Sequence, residues 1–292
     1  EEAALAPMKK VTVDFKTARA KWSKAQLDSN TQLTMYAYVE GTPHVRVDQL
    51  VDLKGGAVYQ RGESARVPGD ANILIDHLNE VAPRRIAVLD PLKLVIENWP
   101  EGKTELCDVP NHPQKPDWGK RQVPLSGELW IEREDYQEVP PKGYFRLFPG
   151  NKVRLRYGYV IECIGYDKAT DTVRCRYFED SKSGTPGADN YKVKGNIHWV
   201  SAKHAYAAEV RLYDRLFKVP HPGAGDRDFL LDINPESVKT VTAQLEPALR
   251  TAKPGEHFQF ERHGYFVADL RDSRPGAPVF NRAVTLRDTW TK

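Results

Sequence analysis

At 292 residues the chain can form one large domain or two to three smaller ones, and its 40% hydrophobic content is enough to fill a real core. With 43 Lys and Arg against 40 Asp and Glu, the net charge of +3 excludes a general attraction for polyanions, so any nucleic-acid affinity must come from local clusters. Mean hydropathy is −0.59 and no apolar run approaches the roughly 18 residues of a membrane span, which sets the expectation of a soluble, cytoplasmic protein with no membrane partner. The start "EEAALAPMKK" lacks the basic head and apolar middle of a signal peptide. Three cysteines, Cys107, Cys163 and Cys175, with no CxxC spacing, point to reduced core thiols. The eight histidines include no HxxxH or HExxH pair, so no metal site is expected from them.

Taken in chain order, residues 1–78 read as a small α/β segment. "KKVTVDFKTARAKW" gives a strand, "SKAQLDSNTQLTMYAYVEG" a helix capped by Ser23, and "HVRVDQLVDL" a second strand. A boundary is expected within "VPGDANILIDHLNEVAPRR". Beyond it the character changes to short alternating runs divided by Pro, Gly and Asp or Asn turns, among them "RIAVLDPLKLVIENW", "KVRLRYGYVIECIGY", "DTVRCRYFED", "NIHWV" and "HFQFERHGYFVADL". That pattern predicts a mainly β sandwich or barrel assembly. A hairpin is expected about "DKATD", a mobile polar loop at "EDSKSGTPGADN", and a short helix at "DFLLDINPESV".

One stretch stands out for its charge. "YFRLFPGNKVRLRY", residues 144–157, carries Arg146, Lys152, Arg154 and Arg156 and no acid, immediately after "ELWIEREDYQE", residues 128–138, with five acids and one Arg. In "NKVRLRY" the period-two alternation of a strand puts Lys152, Arg154 and Arg156 on one face and Val153, Leu155 and Tyr157 on the core face. A row of cations on an edge strand also discourages sheet-to-sheet pairing. Arginine, however, offers a rigid donor fork and a flat cation that stacks on bases, and Tyr144 and Phe145 stand beside Arg146. Basic strands interleaved with aromatics suit splayed single-stranded RNA, whose edges need hydrogen bonds and whose faces need stacking partners. "AEVRLYDRLF", with Arg211, Asp214 and Arg215, reads as a structural ion network.

Eight motifs in order, "VAPRRIAVLDPLKLVIENWPEG", "VPNHPQKPDWGKRQVPLSGELWIEREDY", "YFRLFPGNKVRLRYGYVI", "VKGNIHWVSAKHA", "AEVRLYDRLFKVPHPG", "DINPESV", "FQFERHGYF" and "FNRAVTLRDTW", closely resemble the C-terminal anticodon-binding region of glutaminyl-tRNA synthetase. The resemblance implies two β-barrels, a proximal one from 83–126 with 200–292 and a distal one from 127–199, that clasp the anticodon loop of tRNA for glutamine. It implies Arg154 and Arg156 at the first anticodon base, Arg146 near the third, and Arg84 with Gln259, Glu261 and Arg262 at the middle base. A middle uracil has one N3 donor between two carbonyl acceptors, which suits such a mixed set. Asn79 and Asn111 match positions that support the loop. Gly143 and Phe145 depart from the family, standing where polar or basic side chains are expected.

The full-length family uses ATP and Mg²⁺ in a catalytic domain with a HIGH-like motif and a lysine loop. Neither is legible here, and "DSKSG" at 180–184 matches the lysine loop only superficially, so no cofactor and no complete active site are expected in this chain, and a separate catalytic synthetase subunit is a candidate partner. The front segment resembles the later half of a PD-(D/E)XK nuclease core. There Asp14 would bind Mg²⁺, Lys16 would orient the attacking water, and Gln32 and Tyr36 would lie over the site, although the upstream carboxylate such chemistry needs is not visible. Three functions are therefore in view: anticodon recognition without catalysis, a metal-dependent nuclease directed to tRNA, and a barrel reused for other RNA or a protein partner.

Overall fold

A computed structural model of the chain describes residues 49–53, 56–60, 70–214, 218–219 and 228–287. Asp14, Lys16, Gln32 and Tyr36, with most of the expected α/β segment, lie outside the described residues. The chain divides into two compact units, 1–68 with 213–238, and 69–212 with 239–292. In the first, Gln49–Leu53 and Gly56–Gln60 form an antiparallel hairpin. The short helix expected at "DFLLDINPESV" is a 3-10 turn, Phe229–Asp232, started by the Asp228 side chain accepting from the Leu230 N–H.

The second unit is built on two seven-stranded sheets. The distal sheet runs Gly195–Ile197, Lys152–Leu155, Val160–Asp167, Thr172–Tyr177, Pro91–Ile96, Glu128–Glu132, Val200–Ser201. Its two edge strands are separated in the chain by His198 and Trp199 alone, so the sheet must curl until its edges nearly meet. The proximal sheet runs Arg84–Arg85, His257–Phe260, Gly264–Ala268, Phe280–Val284, Tyr206–Tyr213, Val238–Leu245, Ala87–Val88. Here the edges are separated by Ile86. Curling of this kind hides edges that would otherwise be open to pairing, and the mainly β expectation holds.

The run "IAVL" at 86–89 serves both cores at once. Ile86 and Val88 pack among Leu92, Leu94, Leu129, Ile131 and Trp199, whereas Ala87 and Leu89 pack among Leu245, Phe258, Phe260 and Phe280. Strand alternation explains this: buried on both faces, such a strand has no polar side. Its amides are met by buried carboxylates instead. Glu246 accepts the Ile86 N–H at 2.8 Å and is gripped by Arg121 at 2.5 and 2.7 Å, while Glu132 accepts from Leu89 at 2.6 Å and Asp90 at 3.0 Å.

The hydrogen bonds of the distal sheet join strands from both sides of residue 127. Pro91–Ile96 pairs with both Thr172–Tyr177 and Glu128–Glu132, and the hairpin Glu105–Pro110 with Lys120–Leu125 sends Cys107, Val109, Val123 and Leu125 into the distal core. The chain thus passes from one sheet to the other at Leu89–Pro91. Asp70–Val81, within the stretch read only as a boundary, is a helix; Leu78 and Ala82, one turn apart, close over Tyr265. It ends where Pro83 follows, because a residue before proline is pushed out of the helical region.

The hairpin expected about "DKATD" is present, with Asp167 paired to Thr172 and Cys163 to Cys175. All three cysteines are buried, and burial pushes the Cys107 thiol up to about 11. Among the described residues no helix is long and apolar enough to cross a membrane.

Candidate nucleic-acid interface

The basic strand begins as expected: in Lys152–Leu155, Val153 and Leu155 are buried while Lys152 and Arg154 face outward. It stops at Leu155, so Arg156 belongs to a turn rather than to the strand. Tyr157 there takes a positive φ of 66° and is half-buried against the distal core. The Arg156 N–H donates to Ile197 O at 2.9 Å, and Trp199 Nε1 donates to Arg156 O at 3.0 Å, which fixes that turn against the sheet edge.

Arg154 does not stand in open solvent. Its guanidinium donates to the carbonyls of Ser181 at 2.7 Å and Ala188 at 2.9 Å, with Ser183 Oγ at 3.4 Å and Tyr191 O at 3.5 Å. The polar loop expected to be mobile therefore folds into two 3-10 turns, Glu179–Ser181 and Pro186–Asn190, tied down by this arginine. Ser181, fully buried, adds a bond from the Val160 N–H at 2.8 Å. Lys182 of "DSKSG" donates to Glu105 at 2.9 Å. Five guanidinium donors match several carbonyls better than one ammonium would, which is why an arginine serves this position.

Where the two sheets meet, the remaining predicted charges form pairs. Arg156 Nε lies 2.7 Å from Glu261 Oε2, and the Tyr157 hydroxyl donates to Glu261 Oε1 at 3.3 Å. Burial pushes the Glu261 carboxyl up, opposed by the charges of Arg156 and Arg121. Arg262 grips Asp135 with both terminal nitrogens, at 2.7 and 2.8 Å, and reaches Glu134 at 3.0 Å. Arg146 meets the same acids, Glu134 at 2.7 Å and Asp135 at 3.0 Å. Arg262 sits at a φ of 73° in the turn between His257–Phe260 and Gly264–Ala268. The turn is held by Gly264, where a Cβ would lie 2.4 Å from Val284 O.

Behind these pairs, Glu132, His198 and His263 bring their ligand-type atoms within 4.8 Å of one another. Arg262 donates to His198 Nδ1 at 3.2 Å. A guanidinium cannot accept, so Nδ1 must, and the proton of neutral His198 stands on Nε2, facing Glu132 Oε1 at 3.5 Å. A metal at that point would need a lone pair where this tautomer places a proton. The cluster is accordingly a hydrogen-bonded seam: His263 Nε2 reaches Glu132 Oε1 at 2.8 Å. Burial works against the charge on Glu132, but the adjacent imidazole of His198 and the bond from His263 prevail and hold its carboxyl well below the usual carboxylate range. Burial lowers His198 below the ordinary imidazole value.

A third group lies at the end of the helix Asp70–Val81. Arg84 and Gln259 are register neighbours on parallel strands, Arg84 donates to Asn79 Oδ1 at 2.5 Å and to Ala82 O at 2.7 Å, and Gln259 Nε2 donates to the Tyr265 hydroxyl at 2.8 Å, itself 3.3 Å from Asn79 Oδ1. Asn111 accepts from Arg85 at 3.0 Å and donates to Trp118 O at 3.0 Å. His112 meets Asn79 O at 2.7 Å. Arg84 is only 6% exposed, so it organises this corner from within.

The structure thus brings together Asn79, Arg84 and Gln259 at one corner, with Asn111 joined to it through Arg85. Arg156 with Glu261, and Arg146 with Arg262, lie at the seam, and Arg154 stands apart under its loop. Sequence reasoning missed the acids that hold these cations, Glu134 and Asp135, although "IERED" beside a basic run was the available signal. It also missed Asn196, which shares the outward face with Arg154 by register and is exposed. Arg211 takes part in an ion network with Glu209 at 2.6 Å and Asp272 at 2.7 Å; Arg215, part of the grouping expected with Asp214, lies outside the described residues.

A nearly closed β-sheet and a half-barrel whose cores share the run Ile86–Leu89, with arginines, amides and carboxylates gathered along their junction, define a paired β-barrel of a kind suited to single-stranded RNA. Residues 82–178 and 196–269 match the two families described as tRNA synthetases class I (E and Q), anti-codon binding domain, and this region of the chain belongs to the anticodon-binding domains of those synthetases. Over 221 residues the chain is 66% identical to a glutamine–tRNA ligase of Cupriavidus metallidurans and 63% identical to one of Ralstonia nicotianae, covering 74% of this chain and 38% of each relative. Over 219 residues it is 59% identical to a glutamine–tRNA ligase of Bordetella pertussis, covering 74% of this chain and 37% of that one. The chain therefore spans under two-fifths of the length of these relatives.

Proposed function

We propose that residues 82–287 grip the anticodon loop of a tRNA, and that the tRNA is the one for glutamine. The observation that carries this reading is the match of residues 82–178 and 196–269 to anticodon-binding domains, together with 66% identity to a glutamine–tRNA ligase. The chemistry of the junction supports it. Arg156, Glu261 and Arg262 supply donors and acceptors at the junction, with Gln259 and Arg84 at the neighbouring corner, as the edge of a splayed base requires. In the free protein Arg262 is held by Glu134 and Asp135, Arg156 is ion-paired with Glu261, and Gln259 donates to the Tyr265 hydroxyl, so a base would enter by displacing charge-assisted contacts, which are stronger than neutral ones.

Such displacement leaves a buried group unpaired unless the base supplies matching donors and acceptors, which is how a polar site discriminates. Binding should also weaken with salt, less steeply than for a strongly basic protein. The test is retention of tRNA for glutamine on the purified chain at two salt concentrations, beside a copy with a changed middle anticodon base. Tight binding lost on the base change is expected; equal binding to both RNAs would sink the reading.

A further inference from the structure

Three features of the distal sheet lie outside the ion pairs of the junction, and they adjoin one another. Phe145 is 52% exposed although it is a large aromatic beside a buried Leu147. The Lys194 ammonium stands over its ring, 5.1 Å from the centroid. Two residues on, Asn196 is exposed on the edge strand Gly195–Ile197, in register with Arg154, and its amide makes no hydrogen bond within the described residues.

The arrangement is built rather than loose. A Cβ at Gly195 would lie 2.0 Å from Phe145 O and 2.7 Å from Val153 Cγ1, so the glycine lets the Phe145 peptide seat directly on the sheet edge. That contact fixes the ring next to Lys194. Gly143, with a φ of 86° and nothing near its added Cβ, leaves the preceding turn open to solvent.

We infer that Phe145 and Lys194 form a stacking site for one splayed base of the bound RNA, with the Asn196 amide placed to meet that base's edge. This rests on the anticodon-loop reading and adds to it a site in which an aromatic face supplies the contact, where a polar or basic side chain was expected from the resemblance. The physical basis is that a cation over one face of an exposed ring marks a surface already suited to cation–π and base stacking. Lys194 is close enough to the ring to neutralise the phosphate of the nucleotide it holds, and an amide carries both donor and acceptor for a base edge. A partly exposed phenyl ring also loses unfavourable water contact when a base covers it.

The experiment uses the full chain with a transcript of tRNA for glutamine and three copies, each lacking the base at one anticodon position. Phe145→Ala is expected to weaken binding of the intact RNA by about tenfold, within the range reported for aromatic–base stacking, while Phe145→Trp retains it. For one of the three abasic RNAs the penalty of Phe145→Ala should vanish, identifying the stacked base. Lys194→Ala should flatten the dependence of log Kd on log salt by about 0.7, one phosphate contact on a single strand. Unchanged affinity of Phe145→Ala for intact RNA, or the same penalty on all three abasic copies, overturns the site. Failure of the unsubstituted chain to bind any of these RNAs would overturn the anticodon reading itself, and the stacking site with it.

Discussion

Arg154 and Arg262 came from the same kind of sequence evidence and are held in opposite ways. Arg154 is bonded to neutral carbonyls of its own loop, whereas Arg262 is locked onto Asp135, whose side chain is fully buried, at the junction of the sheets. A carbonyl released from an arginine at the surface finds water. A buried carboxylate released from its arginine does not. The junction is therefore where fold and binding depend on the same charges, while the loop is a local fastening.

The largest expected effect breaks the junction. Arg262→Ala leaves Asp135 with Arg146 alone and should lower stability in urea by about 3 kcal/mol, the low end of the cost of breaking a buried pair; a loss below ~1 kcal/mol would show that Arg146 suffices. Next, Glu246→Ala strips the Ile86 N–H and Arg121 of their acceptor. Roughly 2–3 kcal/mol should go, and because Ile86–Leu89 feeds both cores, one cooperative transition should be lost as a whole. Two separate transitions would mean that the shared strand does not couple the sheets.

The third test is acid. His198 has a folded pKa lowered by burial, so as pH falls below its ordinary 6.5 the unfolded chain takes up a proton that the folded chain refuses. Stability then falls with pH, by at most about 1.4 kcal/mol per pH unit for one group. Glu132, also depressed, adds a loss in the same direction further down, once pH passes below the ordinary carboxylate range. His198→Gln should flatten the slope between pH 6.5 and 5 in thermal melts; an unaltered slope would assign it elsewhere. The smallest effect belongs to the loop: Arg154→Ala should cost about 1 kcal/mol or less in global stability yet speed amide exchange in residues 179–191. Slow exchange there would show that the Ser181 bonds alone fasten it.

Much of the fold was written in local patterns. Val153 and Leu155 inward with Lys152 and Arg154 outward, the turn from Asp167 to Thr172, and the buried cysteines all follow from alternation and turn chemistry within a few residues. The eight ordered motifs carried the resemblance that the family matches then established for residues 82–178 and 196–269. The helix Asp70–Val81 was also legible, in Leu78, Ala82 and the stop at Pro83, but the change of class around it drew attention to a boundary instead.

What alternation alone could not decide is which acceptor each arginine meets. Arg154 bonds 27 and 34 residues away, and Arg262 bonds Asp135 across 127 residues. Strand period is a property of neighbouring peptides and survives in the sequence. Pairing of charges depends on how the sheets curl and which strand they share, and on the burial that makes an unpaired carboxylate costly. Those are long-range quantities, so the sequence by itself determined the strands and their faces, and only the tertiary structure decided that the predicted base-reading arginines rest, in the free protein, on carboxylates and carbonyls of their own chain.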